Sequence, residues 1–182
     1  MTGVSGSWRP GDRREARDAM IRVDQAGEYG ATRIYAGQLA VLGDRHPAAR
    51  AISHMANQEE RHRAFFDAMM AKRGVRPTLL QPIWSVAGFA LGAVTAALGP
   101  DAAMACTAAV ETEIDKHYAD QLVELGGSDT ELSAAVADFQ AEELEHRDHA
   151  LANGATNTPG YPLLSGLIRL GCRVAIATAK RI

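Results

Sequence analysis

The sequence predicts an all-α protein. Apolar residues recur every three or four positions over long stretches of the chain, as the buried face of a helix requires. No segment rich in Val, Ile or Thr alternates apolar with polar residues, which is the pattern of a half-buried strand. Alanine is abundant among the 182 residues, whereas aromatic residues make up 5% and prolines number seven. This balance favours helices over sheets, so we expect a helical bundle.

Glycines, prolines and polar loops divide the chain into five predicted helical stretches. They cover residues 12–42, 48–74, 83–125 with an interruption at 99–100, 128–152 and 163–181. Ser128 followed by Glu131 predicts a capping box at the start of the fourth stretch. A chain of this length can bury one core, so we expect a single domain over residues 1–182, with residues 1–11 flexible.

One segment differs from the rest in composition. Residues 78–100 carry no charge and include an apolar run over 83–99. At 1.5 Å per residue this run spans about 26 Å, less than the ~30 Å hydrocarbon core of a bilayer. Gly88 and Gly92 are spaced for the close approach of a second helix. Two interpretations stay open, a buried segment that contacts another helix or a membrane-facing one, whereas the length disfavours a full span.

The last predicted helix raises a similar choice. Arg169, Arg173 and Lys180 fall on one side of it, and apolar residues fall on the other. The basic side is either a solvated face of a core helix or a contact with anionic lipid.

Composition excludes several classes of protein. The chain has 19 Lys+Arg and 22 Asp+Glu, a net charge of -3, whereas a dedicated nucleic-acid binder is usually basic. Cys106 and Cys172 are too few for a disulfide framework or a cysteine-rich zinc site, which favours a reducing compartment. Residues 1–18 lack the apolar core of a secretory signal, and their arginines are mixed with acids, unlike those of a transit peptide.

Two Glu-x-x-His motifs, Glu59/His62 and Glu143/His146, carry the main functional signal. In each predicted helix the motif lies within the apolar stripe. The two stripes are Ile52, Met55, Glu59, His62, Phe66 and Met69, and Leu132, Val136, Phe139, Glu143, His146 and Ala150. A buried carboxylate without a partner is costly, so charged groups on an apolar face predict a bound metal.

Glu28 and Glu111, each on a predicted helix of its own, complete the set of candidate ligands. They are 83 residues apart, and the two Glu-x-x-His motifs are 84 residues apart. The chain therefore repeats a helix with a lone glutamate followed by a helix with Glu-x-x-His. This repeat predicts a site with pseudo-two-fold symmetry.

These six residues are the ligand set of ferritin-like di-iron carboxylate bundles. Four carboxylates balance two divalent cations, and mixed oxygen and nitrogen donors suit iron or manganese better than structural zinc. Adjacent glutamates lie about 100° off the ligand face and are not predicted as ligands. They are Glu60, Glu113, Glu142 and Glu145. We therefore expect Glu143→Ala to lose metal and activity, and Glu142→Ala to lose neither.

A few residues lie one or two turns from the ligands and are candidates for an outer layer of hydrogen bonds. Metal-bound histidines commonly donate their outer N–H to a carboxylate. Asp24, one turn before Glu28, is the candidate for that carboxylate, with an exposed or helix-end role as the alternative. The other candidates are His117, Tyr118 and His149.

Several blocks of the sequence carry a resemblance. They are RVDQAGEYGA at 22–31, IYAGQ at 34–38, QEERH at 58–62, AVE at 109–111, HY at 117–118, EELEH at 142–146 and GCRVAI at 171–176. Together they resemble the demethoxyubiquinone hydroxylases of ubiquinone biosynthesis, from about residue 15 to the end. The resemblance implies a ferritin-like four-helix bundle with additional membrane-facing helices and two iron ions. The implied iron ligands are Glu28, Glu59, His62, Glu111, Glu143 and His146, with Glu59 and Glu143 bridging.

The resemblance also implies an activity and a location. The activity is that of an O2-dependent di-iron monooxygenase, which hydroxylates the ring of a polyprenylated demethoxyubiquinol and releases the second oxygen atom as water. The location is peripheral, in contact with lipid on the cytoplasmic face of the cell membrane, or on the matrix face of the mitochondrial inner membrane in a eukaryote. A homo-oligomer or a lipid-binding accessory protein stays open as a partner.

Other functions use similar ligands. One alternative is a peroxide-handling enzyme like rubrerythrin or manganese catalase, and another is a ferritin-type iron binder without enzymatic activity. A storage protein needs a hydrophilic interior lining, which the uncharged segment 78–100 does not fit. The electron donor stays open, because no glycine-rich nucleotide-binding loop is present in the sequence.

Overall fold

The computed structural model describes residues 12–182, and within that range the chain is helical without strands, which confirms the all-α prediction. The α-helices are α1 (Asp12–Leu42), α2 (Ala49–Arg73), α3 (Gln81–Ala97), α4 (Pro100–Leu125), α5 (Thr130–Ala152) and α6 (Tyr161–Ala179). A single 3₁₀ turn, Ala155–Asn157, lies between the last two. The predicted flexibility of residues 1–11 lies outside the described residues.

Two helical hairpins form the bundle. α1 packs along α2, and α4 packs along α5. The hairpins meet through α1 with α4 and through α2 with α5, where polar side chains fill the space between them. α3 packs mainly on α1, and α6 packs mainly on α4, so both lie outside the four helices that carry the predicted ligands.

Most helix boundaries follow the breakers in the sequence, with one correction. The capping box predicted at Ser128 is wrong, because Asp129 caps α5 and its Oδ1 accepts from the N–H of Leu132 at 3.2 Å. Asp129 also pairs with Arg73 at the end of α2. Its carboxylate therefore caps α5 and joins the two helix ends, while Glu131 pairs with Lys72 instead of reaching back.

The apolar core lies on both sides of the predicted ligands. One cluster contains Met20, Ile21, Phe66, Met69, Met70, Val75, Tyr118, Leu125, Leu132 and Val136. Another contains Tyr35, Ile52, Met55, Met104, Ala105, Ala108, Ala150 and Ala155. On each of α1, α2, α4 and α5 a predicted ligand lies in sequence between members of the first cluster and members of the second. The predicted ligands are therefore enclosed by apolar packing.

α3 packs closely against α1 through glycines. A Cβ added at Gly92 would meet the carbonyl oxygen of Ile34, and one added at Gly37 would meet that of Phe89. The helix thus contacts a neighbour, as the first interpretation of segment 78–100 expects. Its other side is exposed, however, with Ile83, Val86 and Val94 open to solvent.

α6 repeats this arrangement on the neighbouring side of the bundle. Its apolar residues Leu163, Leu167, Leu170 and Val174 are exposed. By length and composition it is the one helix of the described chain that could cross a membrane. Arg169 and Arg173 do not form a free basic face, because both donate to the buried carboxylate of Glu113 on α4. The exposed apolar residues of α3 and α6 are called the outer apolar face below.

Candidate metal centre

All six predicted ligands lie in one buried cluster, called the ligand cluster below. Their donor atoms form two overlapping groups of four, and within each group the atoms lie within 4.8 Å of one another. The first group is Glu28, Glu59, His62 and Glu143, and the second is Glu59, Glu111, Glu143 and His146. Glu59 and Glu143 belong to both groups, which is the geometry that two metal ions with shared carboxylates require.

Both histidines turn the same ring nitrogen toward the carboxylates. His62 Nδ1 lies 3.2 Å from Glu143 Oε1 and 3.4 Å from Glu28 Oε2. His146 Nδ1 lies 3.1 Å from Glu143 Oε2 and 3.2 Å from Glu59 Oε1. The Nε2 atoms face away from the cluster, so Nδ1 is the atom available to a metal.

The outer partners of these histidines differ from the prediction. His62 Nε2 lies 2.9 Å from Glu142 Oε2, and His146 Nε2 lies 3.0 Å from Gln58 Oε1. Both partner atoms are acceptors, so each Nε2 donates outward and each Nδ1 is the nitrogen that would face a metal. Glu142 is not a member of either four-atom group, as expected, but it touches a predicted ligand. The expectation that Glu142→Ala changes nothing therefore needs correction.

Two buried tyrosines hold the lone glutamates. Tyr35 Oη donates to Glu111 Oε1 at 3.0 Å, and Tyr118 Oη donates to Glu28 Oε1. The bonds are reciprocal, since Tyr35 lies on the helix of Glu28 and Tyr118 on the helix of Glu111. Tyr118 was predicted in the outer layer, whereas Tyr35 was missed. The 83-residue spacing of the two tyrosines, equal to that of the two glutamates, is a signal that could have identified Tyr35.

Asp24 is buried but does not serve a metal-binding histidine. It accepts from Gln121 Nε2 at 2.8 Å and lies 2.9 Å from His117 Nε2. His117 therefore contacts Asp24, and its predicted role in the outer layer of the ligands stays a prediction. His149 is not, because it is exposed and its contacts are with Asn153 at the end of α5. A position one turn after His146 has already left the space between the hairpins.

The electrostatics of the ligand cluster favour a cation. Burial, followed by repulsion from Glu143, raises the pKa of Glu59 and of Glu111 well above the ordinary value. Burial lowers the pKa of His62, but the adjoining carboxylates of Glu143 and Glu28 raise it by more, to about 10. Burial also raises the pKa of Glu143, but contact with His146 and His62 outweighs this effect and brings it to about 2. The carboxylates therefore draw positive charge into the centre.

The residues fit a pair of metal ions. Glu59 Oε1, His62 Nδ1 and Glu143 Oε1 are buried and lie close to polar atoms of the cluster, but none of these contacts among the described residues has hydrogen-bond geometry. Buried polar atoms are rarely left in this state, and all three point into the ligand cluster. The six residues form two groups of four, because two carboxylates belong to both groups. Their donor atoms are oxygen and nitrogen without a thiolate, which suits iron or manganese.

An apolar cavity lies beside the ligand cluster. It has a volume of about 470 Å³, lies between α1, α3, α4 and α6, and has no charged residue in its lining. The lining includes Gly27 and Val110, the residues immediately before Glu28 and Glu111. It also includes Leu167 of the outer apolar face, so the cavity connects the side of the bundle to the neighbourhood of the ligands.

Comparison with known proteins agrees with this geometry. The sequence matches the family described as "Ubiquinone biosynthesis protein COQ7" over residues 15–179. A 3-demethoxyubiquinol 3-hydroxylase of Rhodospirillum rubrum is 54% identical over 175 residues, covering 95% of this chain and 82% of the relative. The human mitochondrial NADPH-dependent 3-demethoxyubiquinone 3-hydroxylase is 49% identical, covering 93% and 79%. The Caenorhabditis elegans relative of the same name is 41% identical, covering 97% and 96%.

The match spans every helix of the described fold and all six residues of the ligand cluster. With half of the residues identical to relatives over nearly the whole chain, this protein belongs to the ubiquinone biosynthesis protein COQ7 family.

Proposed function

We propose that this protein hydroxylates the ring of a demethoxyubiquinol with O2, at two iron ions held by the ligand cluster. The observation that carries the proposal is the pair of four-atom groups that share Glu59 and Glu143 beside an apolar cavity. Curated relatives bear the names of demethoxyubiquinol or demethoxyubiquinone hydroxylases. The same chemistry would use both features, a metal pair for O2 and an apolar site for a lipid quinol.

The ligand residues are proposed to divide as the geometry divides them. Glu28 and His62 would hold one ion, Glu111 and His146 would hold the other, and Glu59 and Glu143 would be shared by both. Four carboxylates neutralise two divalent cations, which relieves the repulsion that raises the pKa of Glu59 and Glu111. When bound, ferrous ions supply the electrons that reduce O2.

The tyrosines hold protons at the edge of the cluster. Burial, and then the charge of the adjoining glutamate, raises the pKa of Tyr35 and of Tyr118 well above the ordinary value, so both stay protonated. Each hydroxyl donates to one oxygen of a lone glutamate. The second oxygen of each glutamate is thereby directed to a metal, and rotation of the carboxylate is restricted.

The cavity is proposed to bind the quinol. Its uncharged lining suits an isoprenoid chain, and Gly27 and Gly30 on α1 leave room for a flat ring close to Glu28. The ring then loses a hydrogen and gains a hydroxyl group, while the second oxygen atom leaves as water. This reaction consumes two electrons and two protons beyond O2. A reduced nicotinamide nucleotide is the proposed source, as the name of the human relative states for that protein.

The outer apolar face is proposed to rest on a membrane. It borders the cavity through Leu167, so a lipid substrate could enter without crossing water. Several exposed large apolar residues beside an apolar cavity are typical of membrane or partner contacts. The proposed location is the cytoplasmic face of the cell membrane, or the matrix face of the inner membrane in a mitochondrion, since the eukaryotic relatives are named mitochondrial.

Metal quantification combined with an O2-dependent assay tests the proposal. We expect two irons per chain and hydroxylation of a short-chain demethoxyubiquinol. Glu143→Ala should lose iron and turnover together, by more than the ~10–100-fold that loss of an outer hydrogen bond to a ligand costs. Glu60→Ala is the matched control, because Glu60 is the exposed neighbour of Glu59 and pairs with Arg63.

The rival functions give different results. Peroxide consumption without ring hydroxylation would support the rubrerythrin or catalase alternative. Iron uptake far beyond two ions per chain would support storage. Either outcome would overturn the proposed reaction.

A further inference from the structure

The internal repeat extends beyond the six ligands to the residue that precedes each Glu-x-x-His motif. Gln58 and Glu142 are 84 residues apart, as are the motifs that follow them. Each reaches across to the histidine of the other half, Glu142 to His62 and Gln58 to His146. They also touch each other, since Gln58 Nε2 donates to Glu142 Oε2 at 3.0 Å. The positions are equivalent, but one side chain is charged and the other is neutral.

A second pair of equivalent positions breaks the symmetry in the same direction. Asp24 and Thr107 are 83 residues apart, as are their partners Gln121 and Gln38. Gln121 donates to the carboxylate of Asp24 at 2.8 Å, whereas Gln38 lies 3.4 Å from the hydroxyl of Thr107. Asp24 lies one turn before Glu28 on α1, and its partner Gln121 lies one turn after Tyr118, the tyrosine that holds Glu28. Both acidic members therefore belong to the Glu28 and His62 side.

We infer that the two metal positions are unequal and that the position of Glu28 and His62 binds its ion more tightly. Glu142 and Gln58 act as positioning residues through His62 and His146. A carboxylate that accepts the outer N–H of a histidine raises the basicity of the nitrogen facing the metal, and a neutral amide does so less. Arg61 pairs with Glu142 and offsets part of its charge. Because Arg61 is largely exposed to solvent, this pairing only partly reduces the difference between the two histidines.

The orientation of the Gln58 amide is fixed by its two partners. Its nitrogen must donate to Glu142, because a carboxylate has no proton to give, and its oxygen therefore faces His146. Exchanging the two residues preserves the hydrogen bonds to both histidines and reverses the bond between the two side chains, although Arg61 can keep only one of its two bonds to position 142. The double variant Gln58→Glu/Glu142→Gln keeps the net charge and moves the carboxylate from His62 to His146.

This inference rests on the proposed metal centre, and the wild-type protein tests the two separately. Metal-free protein is loaded with one equivalent of Mn²⁺, which prefers the same oxygen and nitrogen donors as ferrous iron, and anomalous scattering locates the ion in crystals. We expect higher occupancy at Glu28 and His62. No bound Mn²⁺ at either position would overturn the metal centre itself. Equal occupancy, or preference for His146, would overturn the inference while the centre stands.

The variants test the cause. Glu142→Gln should weaken Mn²⁺ binding at the His62 position by about 10–100-fold and leave the other position unchanged. The double variant should move the preferred occupancy to His146. Glu145→Gln, an exposed glutamate on the same helix, removes the same charge and is expected to change neither affinity nor preference. A double variant that retains the wild-type preference would contradict the role of Glu142.

Discussion

The ligand cluster buries charge, whereas the outer apolar face exposes hydrocarbon. Within the cluster, four glutamates and two histidines are almost fully shielded from solvent. On α3 and α6, which lie on either side of the apolar cavity, leucine, isoleucine and valine side chains are exposed to solvent. Isolated exposed apolar residues are ordinary in soluble proteins, but several on the two helices that flank an apolar cavity are not.

Both regions depart from the usual burial in a helical bundle, and the proposed function gives each of them a partner from outside the chain. The four carboxylates of the cluster would be balanced by two divalent cations. The outer face lacks an apolar medium, which a lipid surface would supply. The cavity is lined by residues of both α3 and α6, so the proposed path of the quinol from lipid to metal would join the two regions.

The largest expected effect comes from removing the metal. The metal-free folded protein holds protons that the unfolded chain releases, because the pKa values of Glu59, Glu111 and His62 are raised. The contribution of His62 is complete below pH 6.5 and is lost as pH rises through about 10. The free energy of unfolding should therefore fall over this range, by up to ~1.4 kcal/mol per pH unit for each proton. The pKa of Glu143 is lowered to about 2, so its contribution to the free energy of unfolding is lost only as the pH falls into the acid range.

Denaturant unfolding of metal-free and metal-loaded protein across this pH range measures the effect. Bound ions replace the protons, so the loaded protein should lose the decline and gain about 4 kcal/mol per ion at a thousandfold excess over the dissociation constant. His54→Gln is the control, since His54 is exposed on the same helix as His62. A metal-free profile that is flat or rises with pH would contradict the electrostatic account of the cluster.

The next effect concerns the outer apolar face. Leu163→Gln with Leu170→Gln should weaken binding to vesicles of phosphatidylcholine and phosphatidylglycerol by about tenfold for each leucine that the membrane buries. Metal content should stay at the wild-type level, because neither residue lines the cavity or the cluster. Val123→Gln removes an exposed apolar residue on α4 and serves as the control. Equal vesicle binding by the wild-type and doubly substituted proteins would leave the face without a role at a membrane.

The ligands could be predicted because charged residues that become buried interrupt the apolar pattern of their helices in the sequence. Glu59 and His62 interrupt an apolar stripe, and the 83–84-residue spacing pairs them with the second half of the chain. Gln58 and Glu142 were not found, because a residue 100° off the ligand face was read as remote. The Nε2 atom of each ligand histidine points away from that face. It meets the residue that precedes the Glu-x-x-His motif on the facing helix.

The sequence could not decide the fate of segment 78–100 for a different reason. Its uncharged residues supply hydrophobicity on every side of α3, so periodicity does not identify the side that packs. The structure assigns Gly88 and Gly92 to the contact with α1 and leaves Ile83 and Val86 exposed. The prediction for His149 was wrong because a residue one turn after His146 on α5 already lies outside the space between the hairpins.

The smallest expected effect is a change in the free energy of unfolding when a methyl group is added to a glycine. The change should be a loss on the packed side of α3 and a gain on the open side of α6. A Cβ at Gly92 meets the main chain of Ile34, which cannot move aside, so Gly92→Ala should push the helices apart and cost about 1–3 kcal/mol. Gly166 lies in α6 with no atom within 4 Å of an added Cβ, so Gly166→Ala should gain up to ~1 kcal/mol from helix propensity. Denaturant unfolding of both variants measures the difference. If both variants gained stability, α3 would not lie as close to α1 as its glycines permit. The bundle would then not hold the exposed side of α3 in place.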